Sequence, residues 1–275
     1  MGLEFTEDGK SWTEASINRY YKSCYYALKM IDNIITITEY PFPNLEKTAK
    51  ARRNAGVGIS NLAYDLASRG LKYTSYEGKT YIHRLSELHT YSLYKASLQL
   101  AKERGICGWA HKTKYPEGWL PIDTANQTVN SKCDATLLCD WESLRSEMIE
   151  LGGLRFSVHC AHMPVESSSL ASNATNSVYP VRGLAVIKKD GNKSTTFLAP
   201  EMDTLGDKYQ IAWDIPQRDM LEVYAIIQKF CDQSISADKW IHREDVGNGS
   251  MKFSGDTWLE NWIYRAKLGI KTGYY

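Results

Sequence analysis

Apolar positions along the chain recur at two periods and divide it into helices and strands. Ile17, Tyr21, Cys24, Leu28, Ile31 and Ile35 step by four and three, which predicts one long helix with Cys24 in the core. A capping box at Ser11–Glu14 opens it and Pro41 and Pro43 stop it, leaving residues 1–10 as a frayed start. Leu45–Asn54 reads as a basic helical segment whose Lys47, Lys50, Arg52 and Arg53 face solvent. Gly56–Ile59 reads as a short buried strand, since its glycines lack the spacing of a nucleotide loop. Helices are expected from Asn61 to Gly70 and from Lys79 to Arg104, then an irregular stretch from Gly108 to Cys139 and a short helix over Asp140–Leu151.

From Leu154 the period changes to two. Leu154, Phe156, Val158 and Cys160 alternate with Arg155, Ser157, His159 and Ala161, the pattern of a half-buried strand. Met163-Pro164 ends it, because proline has no N–H and pushes its predecessor out of the helical region. Glu166, Ser167, Ser168 and Ser169 then open a helix. On these residues alone the serines cap that helix; the alternative is a phosphate site, since a helix start offers free N–H groups beside hydroxyls. His159 and His162 flank Cys160, but neighbours on a strand point to opposite faces, so a nucleophile dyad is set aside and structural roles are expected. Beyond this stretch come a strand at Gly183–Lys188 with a turn at Asp190-Gly191, a helix over Asp219–Asp232 and a buried polar strand at Gln233–Ala237. A glycine-containing loop follows at Val246–Ser254. A second capping box at Thr257–Glu260 opens a helix that ends at Gly269, and Ile270–Tyr275 is extended. Strands alternating with helices predict an α/β fold with a mainly parallel sheet.

Composition narrows the class. The chain has 275 residues, 43% hydrophobic and 24% charged, with a formal net charge of +1, so neither a nucleic acid nor another polyanion is expected as partner. No apolar run is long enough to span a membrane, and a cytoplasmic protein is expected. The six cysteines, Cys24, Cys107, Cys133, Cys139, Cys160 and Cys231, form no CxxC and read as reduced thiols; no metal site is expected, because ligand pairs come at closer spacing.

Five stretches carry a resemblance that runs from about Ser16 to Tyr275: ARRNAGVGISNLAYDLASRG (51–70), LPIDT (120–124), MPVESSS with SNATN and YPVRG (163–183), QKFCDQSISAD (228–238) and LGIKTGYY (268–275). In this order they resemble the large, or alpha, subunit of class I ribonucleotide reductase. The resemblance implies a ten-stranded α/β barrel of two five-stranded halves, of which this chain is similar to the C-terminal half alone. Residues 16–275 then form that half-barrel and residues 1–15 a divergent segment.

The implied activity is radical-based reduction of ribonucleoside diphosphates to deoxyribonucleoside diphosphates. Pro164, Val165, Glu166, Ser167 and Ser168 match the loop that binds the substrate diphosphate, with Val165 where relatives commonly have a hydroxyl. Tyr274 and Tyr275 match the tyrosine pair that relays the radical. The family's thiyl cysteine lies in an Asn-x-Cys-x-Glu pattern that none of the six cysteines occupies. The expected partners are therefore an N-terminal half of the large subunit and a small beta subunit whose di-metal centre generates the radical. Thioredoxin or glutaredoxin is the external reductant, and no cofactor is bound by this chain. A split large subunit fits best, with a truncated chain second; the alternative function is a non-catalytic fragment that assists assembly or regulation.

Overall fold

A computed structural model of the chain describes residues 3–7, 11–190, 193–240 and 255–274. The helices are α1 (Glu14–Ile37), α2 (Pro43–Arg52), α3 (Leu62–Ser68), α4 (Tyr76–Arg104), α5 (Trp141–Leu151), α6 (Glu166–Ala171), α7 (Met202–Leu205), α8 (Gln217–Gln228) and α9 (Gly255–Lys267). The strands are β1 (Asn54–Val57), β2 (Val158–Cys160), β3 (Ala185–Asp190) and β4 (Lys193–Leu198). None of the described helices is long and apolar enough to cross a membrane.

The fold is organised around α4. Leu88, Leu93, Tyr94 and Leu100 are fully buried on it, and so are the polar His83 and Glu87. A buried carboxylate is costly unless it is hydrogen-bonded. The Glu87 carboxylate accepts the N–H groups of Leu138 and Cys139 at 2.9 Å and the Trp141 indole N–H at 3.0 Å. It thereby fastens the end of the irregular stretch, which folds as four short 3₁₀ turns between Ala110 and Lys132.

Helix α1 lies along α4 with Cys24 and Leu28 inward, as its period requires. Its start differs from expectation. The cap is Thr13, whose side chain accepts from Ser16 N–H, because Ser11 and Trp12 are engaged in an antiparallel bridge with the residues around Phe5. That bridge buries Leu3 and Trp12 and stacks Phe5 on Trp12 with ring centroids 4.0 Å apart, so residues 3–7 and 11–12 are packed and not frayed. The basic segment is exposed over residues 45–48, as expected, and half-buried over residues 49–53. Arg53 enters an ion pair of 2.7 Å with Asp32, which is 1% exposed.

The parallel sheet is narrow. Among the described residues β1 pairs with β2 in parallel, and single parallel bridges join His162 to Ile235 and Val181 to Ile211. The strand expected from Leu154 is regular only over Val158–Cys160, and both of its faces are buried. Arg155 bonds Asp32, Ser157 bonds Asn54, and His159 packs on Tyr94 with ring centroids 4.4 Å apart. Its polar positions thus face a second, hydrogen-bonded interior instead of solvent. β3 and β4 form a separate antiparallel hairpin around the expected turn, of which Gly191 lies outside the described residues. The strand expected at Gln233–Ala237 is reduced to a single bridge at Ile235, and its buried residues are Ile235 and Ala237, while Gln233 is exposed and the two serines are half-buried. The loop expected at 246–254 lies outside the described residues. α9 already runs from Gly255, so Thr257 sits inside its first turn and is not its cap.

Candidate functional site

Two parallel strands deliver their C-terminal ends to one side of the sheet, where α/β proteins place their ligands. Gly58–Asn61 leaves β1 there and Ala161–Ser168 leaves β2. The two connections touch: a Cβ added at Gly58 would lie 2.4 Å from the Ala161 carbonyl oxygen, so only glycine fits this crossing.

The loop after β2 is fastened by asparagines. Asn176 Oδ1 accepts Val165 N–H at 2.8 Å, and Asn61 Oδ1 accepts Thr175 N–H at 2.8 Å. Asn61 adopts φ 70°, a left-handed conformation that asparagine tolerates. The SNATN segment therefore turns back to hold both strand-end connections. The resemblance singled out this segment as wording; its role as a clamp becomes visible only in the fold.

Within this frame Pro164, Glu166, Ser167 and Ser168 are exposed and Val165 is half-buried. Val165 precedes the first turn of α6 at φ −119° and offers no side-chain cap. The first-turn N–H groups have no acceptor inside the helix. Ser169 is buried and donates its hydroxyl back to the Glu166 carbonyl at 2.9 Å within the helix, so it is lost to any ligand, and the expected capping of α6 by its serines is not seen. Beside α6 lies a cleft of about 140 Å³ walled by Glu166, Tyr179, Arg182, Phe197 and Trp240. Of the five predicted loop residues only Glu166 lines it. Tyr179 and Arg182 belong to the YPVRG stretch that the sequence already singled out, whereas Phe197 and Trp240 were not anticipated, because β4 and the segment after α8 bring them there.

The segment after α8 forms the next wall. Asp232 accepts His159 N–H at 2.8 Å and Cys160 N–H at 3.1 Å, and so closes the end of β2. Ser236 N–H reaches the His162 carbonyl at 3.0 Å. The C-terminal segment runs along the same strip: Thr272 Oγ1 donates to Ile235 O at 3.3 Å and Tyr274 N–H to Ala237 O at 3.3 Å. Tyr274 is 53% exposed, and nearby the Tyr179 phenol is pushed up by burial and then by the charges of Asp238 and Tyr274. Tyr275 lies outside the described residues, so the expected pairing of the two rings does too.

The two histidines beside Cys160 behave differently. His159 points away, to Tyr94, Tyr115 and Asp232. His162 is two residues on and shares a face with Cys160, with Nε2 3.4 Å from Sγ. Alternation excludes His159 as a partner of Cys160 but not His162. Burial lowers His162 to a pKa of about 3, so it is a neutral imidazole.

Comparison with known proteins accords with this architecture. The family model described as "Ribonucleotide reductase, barrel domain" matches residues 5–205 and 201–275. The chain is 38% identical over 250 residues to the ribonucleoside-diphosphate reductase subunit alpha of Haemophilus influenzae, covering 90% of this chain and 33% of that protein. It is 38% identical over 238 residues to subunit alpha of the Escherichia coli reductase 1, covering 86% and 31%. It is 36% identical over 253 residues to subunit alpha from Enterobacteria phage T4, covering 90% and 32%. The chain thus spans about a third of the length of the curated relatives it matches, and it belongs to the ribonucleotide reductase barrel-domain family.

Proposed function

We propose that this chain is part of a ribonucleoside-diphosphate reductase, contributing the C-terminal half of the ten-stranded barrel. The observation that carries this reading is the match to alpha subunits over nearly the whole chain, with the MPVESSS loop exposed at the C-terminal ends of two parallel strands. Pro164, Val165, Glu166, Ser167 and Ser168 hold the substrate diphosphate. The N–H groups of the first turn and the two serine hydroxyls donate to its oxygens. Glu166 turns from the phosphate, since two anions repel, and meets the ribose side. Tyr274 and Tyr275 relay the radical towards the thiyl cysteine on the N-terminal half.

The remaining parts belong to other molecules. The N-terminal half of the large subunit completes the barrel against the narrow sheet. A small beta subunit supplies the radical from its di-metal centre, and thioredoxin or glutaredoxin returns reducing equivalents. This chain itself holds the substrate and carries the last tyrosines of the relay.

The test is reconstitution. The purified chain is mixed with an N-terminal large-subunit half carrying Asn-x-Cys-x-Glu and with a small radical subunit, and diphosphate reduction is followed. Activity is expected only in the complete mixture. Turnover by this chain alone, or none in a mixture shown to assemble, overturns the reading.

A further inference from the structure

Three side chains that the proposed reaction does not use meet beneath the substrate loop. Cys160 ends β2, His162 lies two residues on, and Cys231 follows α8. Their exposures are 0%, 3% and 1%. The Cys160 sulfur is 3.4 Å from His162 Nε2, the Cys231 thiol donates to the Cys160 carbonyl at 3.3 Å, and one ligand atom from each residue lies within 4.8 Å of the others. We propose that Cys160, His162 and Cys231 form a site for a soft divalent cation, zinc above all, that ties the end of β2 to the segment after α8.

The donor set selects the ion. Two sulfurs and an imidazole suit zinc and disfavour magnesium or calcium, which take oxygen ligands. Tetrahedral zinc, with bonds of about 2.3 Å to sulfur and about 2.0 Å to nitrogen, holds its ligand atoms roughly 3.5–3.8 Å apart, so small side-chain movements complete the site. Charge agrees as well. The cluster is packed among Leu28, Leu93, Leu100 and Phe156, where an isolated charge is costly. Two thiolates and one divalent cation sum to zero, and binding releases both thiol protons to solvent.

Three hydrogen bonds oppose the site. Ile59 N–H donates to His162 Nδ1 at 3.2 Å, and a metal on Nε2 moves the ring proton to Nδ1. The Cys160–His162 contact and the Cys231 thiol's bond to the Cys160 carbonyl are also given up when the thiols lose their protons. These long, weak bonds are exchanged for three metal–ligand bonds, and the balance favours the metal. The fourth position is left to water. Occupancy fixes the base of the 164–168 loop, because the His162 carbonyl already receives Ser236 N–H. The inference does not depend on what that loop binds.

The test uses the full chain, stripped by a chelator under reducing conditions and titrated with Co²⁺. Thiolate-to-cobalt charge transfer and the ligand-field bands of a tetrahedral site are expected, saturating at one Co²⁺ per chain and abolished by Zn²⁺. Elemental analysis of the zinc-loaded chain should give one zinc. Cys160→Ser with Cys231→Ser should remove the signal, His162→Gln should weaken Co²⁺ binding at least tenfold, and Cys107→Ser, a buried thiol outside the cluster, should leave it intact. Should the serine variants fail to fold, the wild-type titration decides alone. No charge-transfer band in the folded wild-type chain, or a full signal in the double serine variant, overturns the proposal.

Discussion

Arg155 grips Asp32 in the protein interior, Nε to Oδ1 at 2.9 Å and Nη2 to Oδ2 at 3.2 Å, across 123 positions of sequence. Arg53 and Arg104 converge on the same carboxylate at 2.7 Å each. Burial pushes the Asp32 carboxyl up, but hydrogen bonds from Arg155 and Arg104 outweigh it and hold the group below the usual carboxylate range. Removing this carboxylate leaves buried guanidinium charge with hydrogen-bond acceptors but without the carboxylate that neutralises it. Asp32→Ala should therefore cost about 3–5 kcal/mol in denaturant unfolding. Asp32→Asn should restore little of this, and a loss within experimental error would show that the cluster is not a keystone of α1.

Glu222 offers a pH test of the same kind. Burial raises its carboxyl, and hydrogen bonds from Lys132, Lys79 and Tyr264 then bring it down to about 2. A carboxylate depressed on folding stabilises fully above its unfolded pKa, and the contribution is lost as pH falls through the folded value. Chain stability should thus decline between roughly pH 5 and pH 2. The decline should be shallower in Glu222→Gln, measured by urea midpoints across that window; parallel curves for the two proteins would remove the assignment.

The crossing at Gly58 allows no side chain. Gly58→Ala pushes a methyl into the Ala161 carbonyl, so the connections after β1 and β2 must separate. Overpacking of this type costs about 1–3 kcal/mol. The same change at Gly70, where nothing lies within 4 Å of the added carbon, meets only its positive φ of 66° and serves as the control for backbone strain. Gly58 has no left-handed φ to strain, so a Gly58→Ala loss within experimental error would mean that contact with Ala161 contributes nothing.

In the assembled reductase, replacing Ser167 and Ser168 by alanine should raise the substrate KM roughly ten- to a hundredfold, the effect of losing hydrogen bonds to a charged group. Folding should be untouched, because both side chains are exposed. Asn176→Ala separates positioning from contact. It frees Val165 N–H, so KM should rise while both hydroxyls remain. An unchanged KM in the double serine variant moves the diphosphate elsewhere.

Tyr274→Phe keeps the ring and removes the oxygen that a proton-coupled relay needs. Turnover should vanish while substrate and small-subunit binding persist, and Tyr275→Phe should behave alike. Substantial turnover in either variant, measured with both bindings intact, ends the relay assignment.

Much of this architecture is legible in the chain. Apolar spacing places Cys24 and Leu28 on the inner face of α1, and the glycine at 105 closes α4 where the pattern stops. What escapes the pattern has distant partners. Asp32 sits beside Ile31 in a stripe that local spacing reads as apolar, and only Arg155, Arg53 and Arg104, all distant in sequence, explain its burial. The polar side of β2 reads as solvent-facing for the same reason, since Asn54, Tyr94 and Asp32 are far away in sequence. Ser11 has the right chemistry for a cap but is occupied by the bridge to the residues around Phe5, and Thr13 takes the role. At the site, the loop wording marks residues 164–168, whereas the clamp by Asn176 and the wall formed by Trp240 arise from chain reversal alone.

The parallel contact between Asn54 and Val158 also bears on how fast the chain reaches its native state. About a hundred residues separate the partners, including all of α3, α4 and α5. Helices form from neighbours in microseconds, but this ladder must wait until a long segment has looped back. Strand pairing is therefore the late event of folding. A substitution at the crossing of Gly58 and Ala161 then acts mainly by hastening unfolding, while the refolding limb of a chevron stays nearly where it was.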